Sequence, residues 1–299
     1  MQWWFLEIRY YGVIFALTLL IAFLFWQWQM KRGKFPQKAI EEIILWGVAG
    51  VVIGARLGHC LFYDWHVYSQ NPMEILKVYK GGLASHGATI GLVLVLLLLA
   101  WKNRTHPLEI MDRFSFSAAC GAAGVRLGNF LNSEIVGRPT DQTWGVYFKK
   151  YAPDMGRVVY RHPSQLYEFA MGIAILLILI WADRKAGKEK RPLGLLTGLF
   201  LGLYFIGRFL VEYVKEFQAK NVIEAHSTLT MGQYLSIIPA VAGVIIVFWS
   251  LTKGKGKTEQ LALERQARLA TETEAVSEKS ADQSKKLTPA QRSKKLKKK

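Results

Sequence analysis

Seven stretches of this chain are apolar for close to the roughly 20 residues that a helix needs to cross a bilayer. They lie near 11–30, 40–62, 86–101, 113–131, 166–183, 194–214 and 230–251, and charged residues gather in the gaps between them. The pattern predicts an all-α integral membrane protein, with about seven transmembrane helices in one bundle over residues 1–252. Most connecting segments are short, so neighbouring helices should pack antiparallel. The exception is 132–165, rich in Pro, Gly, Asp and Tyr. Segments of that length are commonly functional or locally folded, so it is read as a small extracytoplasmic head between spans four and five. No internal repeat is evident, which weighs against transporters built from paired halves.

The first span does not read as a cleavable leader. No basic segment precedes it, and its long apolar run ends in Lys31, Arg32 and Lys34. The fourth span is the least apolar of the seven. Basic residues crowd the first gap (Lys31, Arg32, Lys34, Lys38), the third (Lys102, Arg104) and the fifth (Arg184, Lys185, Lys188, Lys190, Arg191). The positive-inside rule then places the N-terminus outside and the C-terminus in the cytoplasm, although the basic groups of the fourth gap argue the other way.

Charge changes the picture only at the end of the chain. The formal net charge is +17, and residues 253–299 hold 14 Lys and Arg against 6 Asp and Glu. That segment lacks interleaved aromatics, so nucleic acid is not expected as a partner. It reads as a disordered cytoplasmic tail, either solvated or lying on anionic membrane lipid at about 1 kcal/mol per basic residue. Cys60 and Cys120, the two cysteines, both fall inside apolar spans, which argues against a disulfide framework or thiolate metal site. No His, Asp and Glu cluster has metal-ligand spacing, so neither metal nor cofactor is expected.

Small residues recur every four positions at Gly50, Gly54 and Gly58, and at Gly124 and Gly128. That spacing lets helices approach closely in lipid, a packing role favoured over contact with a ligand.

Polar chemistry collects at one side of the membrane. The fourth span leads into GVRLGNFLNSEIVG at 124–137, with Arg126 and Asn129 on one helical face and Glu134 just beyond. The second span carries Arg56, His59 and Tyr63 on one face. The sixth carries Tyr204, Arg208, Glu212 and Lys215 on one stripe, and His86 sits in GGLASHG before the third. An arginine at depth costs about 2.5–3.5 kcal/mol on insertion scales. Three of them therefore have to point inward, toward something anionic, and Glu212 neutralises only one. Converging guanidinium groups suit a phosphate or carboxylate, and a phospholipid headgroup is the phosphate most available at that depth. Taken singly the groups have plainer readings: an Arg208–Glu212 ion pair, a snorkelling Arg126, an interfacial His86. No nucleophile arrangement is evident, so a second substrate would have to bring the nucleophile. A transporter of an anionic solute is the alternative reading.

These residues sit in motifs whose order and spacing resemble the prolipoprotein diacylglyceryl transferases over roughly residues 8–251. The motifs are YYG at 10–12, FYD at 62–64, GGLASHG at 81–87, GVRLGNFLNSEIVG at 124–137, RHPSQLYE at 161–168, the Tyr204–Arg208–Glu212 stripe and MGQYLS at 231–236. The resemblance implies transfer of diacylglycerol from phosphatidylglycerol to the lipobox cysteine of a preprolipoprotein in the bacterial inner membrane. It implies a thioether product, release of glycerol 1-phosphate and no cofactor. It further implies that Arg126 and Arg208 bind the phosphate and that His86 is the base. Tyr11, Asn129, Glu134 and Gly137 match other signature positions, and Tyr63, Tyr204 and Glu212 match assisting ones. On this reading the partner of Arg126 is a lipid phosphate and not a protein carboxylate. Two positions depart from the family: His86-Gly87-Ala88 stands for HGG, and Lys215 stands where an arginine is common.

Overall fold

The computed structural model describes residues 10–151, 154, 157–216 and 229–286. Among the described residues nine α-helices run in chain order: α1 Tyr10–Arg32, α2 Gln37–Phe62, α3 Trp65–Gln70, α4 Ser85–Lys102, α5 Pro107–Asn132, α6 Ser164–Lys185, α7 Leu195–Val211, α8 Met231–Lys253 and α9 Lys257–Lys286. Six of them (α1, α2, α4, α6, α7 and α8) are long and apolar enough to cross a membrane. The chain is thus a multi-pass membrane protein. Its outer surface is apolar, as lipid demands: Leu45 is 69% exposed, Ile238 78% and Phe248 71%.

Helix α5, over the least apolar of the seven stretches, is not among these six. It is 26 residues long and buries Glu109, Asp112, Arg113, Ser115, Ser117 and Asn129. It can carry them because it sits among other helices, packed on α1, α4, α6 and α7. Intramembrane polar groups survive where they face protein and find partners. Serine hydroxyls donate to backbone carbonyls, Ser117 Oγ to Ala22 O at 2.7 Å, and Asp112 accepts from the backbone N–H groups of Gly194 and Thr197, each at 2.8 Å.

The glycine stripe packs helices. A Cβ on Gly54 would lie 2.3 Å from the Gly87 carbonyl oxygen, and one on Gly91 would lie 2.0 Å from that of Gly50. The α2 and α4 backbones therefore touch with no side chain between them. A second such seam joins α7 to α8, where a Cβ on Gly243 would meet Gly202 N at 2.3 Å.

The 132–165 segment is locally folded. Strands β1 Val146–Tyr147 and β2 Tyr160–Arg161 pair antiparallel. Arg161 ties them down by reaching Asp154 Oδ2 and Glu216 Oε2, both at 2.6 Å.

At the other end of the bundle a second charge cluster joins the segments between helices. Arg32 pairs with Asp183 and Glu189, both at 2.7 Å, and Arg113 with Glu109 at 2.8 Å and Glu189 at 2.7 Å. Arg191 adds a 3.1 Å pair to Asp183.

This cluster overturns the expectation of disorder for the tail over 257–286; residues 287–299 lie outside the described residues. Helix α9 docks there through Arg265, whose Nη2 lies 2.6 Å from Glu109 Oε2 and whose guanidinium covers the Phe35 ring at 3.6 Å. Arg265 also donates to the Gly33 carbonyl just past α1, and Arg268 to the carbonyls of Asn103 and Arg104 just past α4. Cations suit helix C-termini, whose last carbonyls lack intrahelical partners. The tail is ordered by ion pairing to distant segments, which its sparse apolar content does not reveal.

Candidate functional site

Helix α5 ends because Ser133 adopts the left-handed conformation, φ 58°, and its N–H turns back to Phe130 O at 3.1 Å. The chain then runs between two other segments. Gly137 N donates to His162 O at 3.0 Å, Arg138 N to Val214 O at 2.8 Å, and Glu216 N to Val136 O at 3.1 Å. Side chains reinforce this frame, with Ser164 Oγ donating to Ile135 O at 3.0 Å and Gln165 Nε2 to Glu134 O at 2.7 Å. The frame locks together the end of α5, the start of α6 and the segment after α7. Gly137 sits in the middle, where a Cβ would lie 2.4 Å from His162 O and 2.8 Å from Val214 O.

Beside that frame lies a buried ion cluster. Arg126 Nε is 3.1 Å from Glu168 Oε2, and Lys215 Nζ is 3.6 Å from Glu168 Oε1 and 3.4 Å from Glu212 Oε2. Glu168 is 1% exposed and Lys215 5%. Arg208 comes from the last turn of α7, which ends at Val211 before Glu212 and Lys215, and its buried Nε has no hydrogen-bond partner among the described residues. Three cations (Arg126, Arg208, Lys215) and two carboxylates (Glu168, Glu212) leave one positive charge when all are ionised. A monoanion would neutralise it.

Several expectations change here. Arg126 does have a protein carboxylate partner, Glu168, at the end of the RHPSQLYE motif. No ion pair joins Arg208 to Glu212, which faces Lys215 instead. Arg56 needs no anion, because the carbonyls of Glu74, Ile75, Lys77, Gly81 and Gly82 accept from its guanidinium and the Tyr68 ring lies 5.0 Å away. It clasps the segment between α2 and α4. Glu168 is the member of this cluster that sequence reading did not single out. Its signal was an acidic residue in an otherwise apolar span.

The other expected residues are spread around the cluster. Asn129 Nδ2 donates to Glu134 Oε2 at 3.1 Å, while its Oδ1 is buried without a partner among the described residues. Tyr204 stacks on Phe200, rings 5.5 Å apart, and Glu212 abuts the Gly232 backbone of MGQYLS. Tyr63 is exposed and stacks on His59 at 5.7 Å. His86 is exposed in the first turn of α4, and no hydrogen bond or ion pair ties it to the cluster among the described residues. Tyr11 lies in the first turn of α1, and its side chain falls outside the described residues. Among the described residues no His, Cys, Asp and Glu group is arranged to hold a metal ion.

With this geometry in place, comparison with known proteins identifies close relatives. A family model described as prolipoprotein diacylglyceryl transferase matches residues 1–249. The phosphatidylglycerol–prolipoprotein diacylglyceryl transferase of Cupriavidus metallidurans is 36% identical over 260 residues, covering 85% of this chain and 93% of the relative. The like-named protein of Nitrosomonas europaea is 35% identical over 260 residues, covering 86% and 90%. That of Tolumonas auensis is 36% identical over 249 residues, covering 82% and 92%. The matched span ends before α9.

Proposed function

The chain belongs to the prolipoprotein diacylglyceryl transferase family, and on that premise we propose that the Arg126–Arg208 cluster holds the phosphate of phosphatidylglycerol. The protein is a transferase of lipoprotein maturation. The observation that carries the site assignment is Arg208, an arginine of a membrane-length helix whose buried Nε lacks a hydrogen-bond partner among the described residues, and which gives its cluster one surplus positive charge. A phosphodiester monoanion fits that charge, and guanidinium forks match its oxygens.

In the proposed step a prolipoprotein's lipobox cysteine sulfur forms a bond to the glycerol carbon that bears the phosphate. The carbon–oxygen bond breaks, its electron pair leaves with glycerol 1-phosphate, and the thiol proton passes to His86. A free thiol is only a few per cent thiolate at neutral pH, so a base is worth roughly 10²–10⁴-fold. The leaving phosphate gains charge as the bond breaks, where Arg126 and Arg208 stabilise it most. Asn129 and Glu134 lead from the arginines to the folded 132–165 segment, which we place outside the membrane to meet the peptide. Tyr63, Tyr204 and Glu212 assist in binding the lipid, and Tyr11 is a further signature position of the reaction. Helix α5 serves as a seventh span, the N-terminus faces outward, and α9 lies in the cytoplasm of a bacterium's inner membrane. The basic segments after α1, α4 and α6 support that orientation.

Purified protein, labelled phosphatidylglycerol and a lipobox peptide, followed by mass, test the assignment. The expected product is peptide heavier by one diacylglyceryl group, absent when the peptide cysteine is alanine. Unmodified peptide would overturn the proposed transfer step.

A further inference from the structure

We infer that Glu168 is a positioning residue for Arg126, an inference that rests on the phosphate-site reading above. Its carboxylate faces Nε of Arg126 at 3.1 Å, on one edge of the guanidinium. That engagement leaves the terminal amines on the far edge to form a fork for phosphate. A carboxylate at 1% exposure in a membrane helix is expensive unless it is paired. Glu168 has two cations for this purpose, Arg126 and Lys215. Neither of its oxygens makes a hydrogen bond among the described residues, so charge alone holds the three groups together.

What fixes Glu168 is the frame. Ser164 and Gln165, in the same first turns of α6, bond to the carbonyls of Ile135 and Glu134, on the segment that leaves α5. Lys215 is fixed from the other side, its backbone bridged to Gly137 and its carbonyl accepting from Arg138 Nε at 3.0 Å. The carboxylate is therefore anchored to the element that carries Arg126, and Lys215 is the compact charge that balances it.

The test compares Glu168→Gln, Lys215→Gln and the double variant in the peptide transfer assay, with kcat and KM for the lipid measured separately and folding followed by thermal unfolding in detergent. Glu168→Gln keeps the side chain's size and adds one positive charge to the site. Lipid KM should not rise, while kcat falls ~10–100-fold as the fork loses its alignment. The double variant should stay as slow as Glu168→Gln. Recovery of the double variant to the rate of Lys215→Gln would overturn the proposal, because Glu168 would then only neutralise Lys215. Should Glu168→Gln not fold, Glu168→Asp retains the charge and withdraws the carboxylate by one methylene. A parent-like kcat for that variant would also overturn the proposal. A parent protein that makes no thioether product would overturn the phosphate-site reading itself.

Discussion

Gly137 and Lys215 face each other across an antiparallel bridge, and this pairing brings the segment after α5 against the segment after α7. It makes Gly137 a place where only a hydrogen fits. A Cβ would meet His162 O at 2.4 Å and His162 Cβ at 2.6 Å. Gly137→Ala should cost about 1–3 kcal/mol, the usual range for forced overpacking, and should lower transfer activity along with the melting temperature. Parent-like unfolding and activity in detergent would show that the frame yields at no cost.

Arg208→Lys keeps the charge of α7 and loses the planar fork. Removing one well-placed donor to developing charge typically costs ~10²–10³ in kcat. The same loss is expected in the peptide transfer assay, and full activity would remove Arg208 from the phosphate site.

His86 is exposed at the start of α4, so His86→Gln should fold like the parent. Its transfer rate should fall by up to about 10²-fold, the low end of general-base contributions. A rate equal to the parent's at every pH assigns the thiol proton to another group.

Arg265→Ala removes the clasp between α9, Glu109 and the Gly33 carbonyl. Hydrogen bonds to charged partners contribute about 1.5–3 kcal/mol, and Glu109 keeps Arg113. The variant should lose stability of that order and melt at a lower temperature, while each folded molecule retains its transfer rate. An unchanged melting temperature would mean that α9 docks without stabilising the bundle.

Glu189 joins the same cluster from the segment between α6 and α7. Burial pushes its carboxyl up, but Arg113, Arg191 and Arg32 outweigh burial and hold it down at about 2, below the ordinary value of 4.5. A depressed folded value means the stabilisation is present above pH 4.5 and is lost as pH falls toward 2. Unfolding temperature measured across that window should drop with acid, and Glu189→Gln should flatten this part of the slope. An equal slope in the variant would place the acid sensitivity elsewhere.

The spans were legible because their apolar runs match the bilayer's thickness, and α5 stood out as the least apolar for the reason the fold supplies: protein surrounds it. Arg126 and Arg208 were legible as inward-facing charges. Glu168 was not, because helix spacing relates residues within one span and says nothing of which carboxylate comes across from the next. Arg56 has the same cause behind it. A buried arginine requires acceptors, but sequence does not say whether they belong to an anion or to a ring of backbone carbonyls. In α9 the docking residues are arginines instead of leucines, so a search for an apolar face passes over them.

The two glycine seams set how closely these helices lie. Between α2 and α4 at Gly54, Gly87 and Gly91, and between α7 and α8 at Gly202 and Gly243, backbone lies against backbone. At those glycines the paired helices approach more closely than side chains would allow, so a larger residue at Gly54 or Gly243 would have to push a whole helix aside.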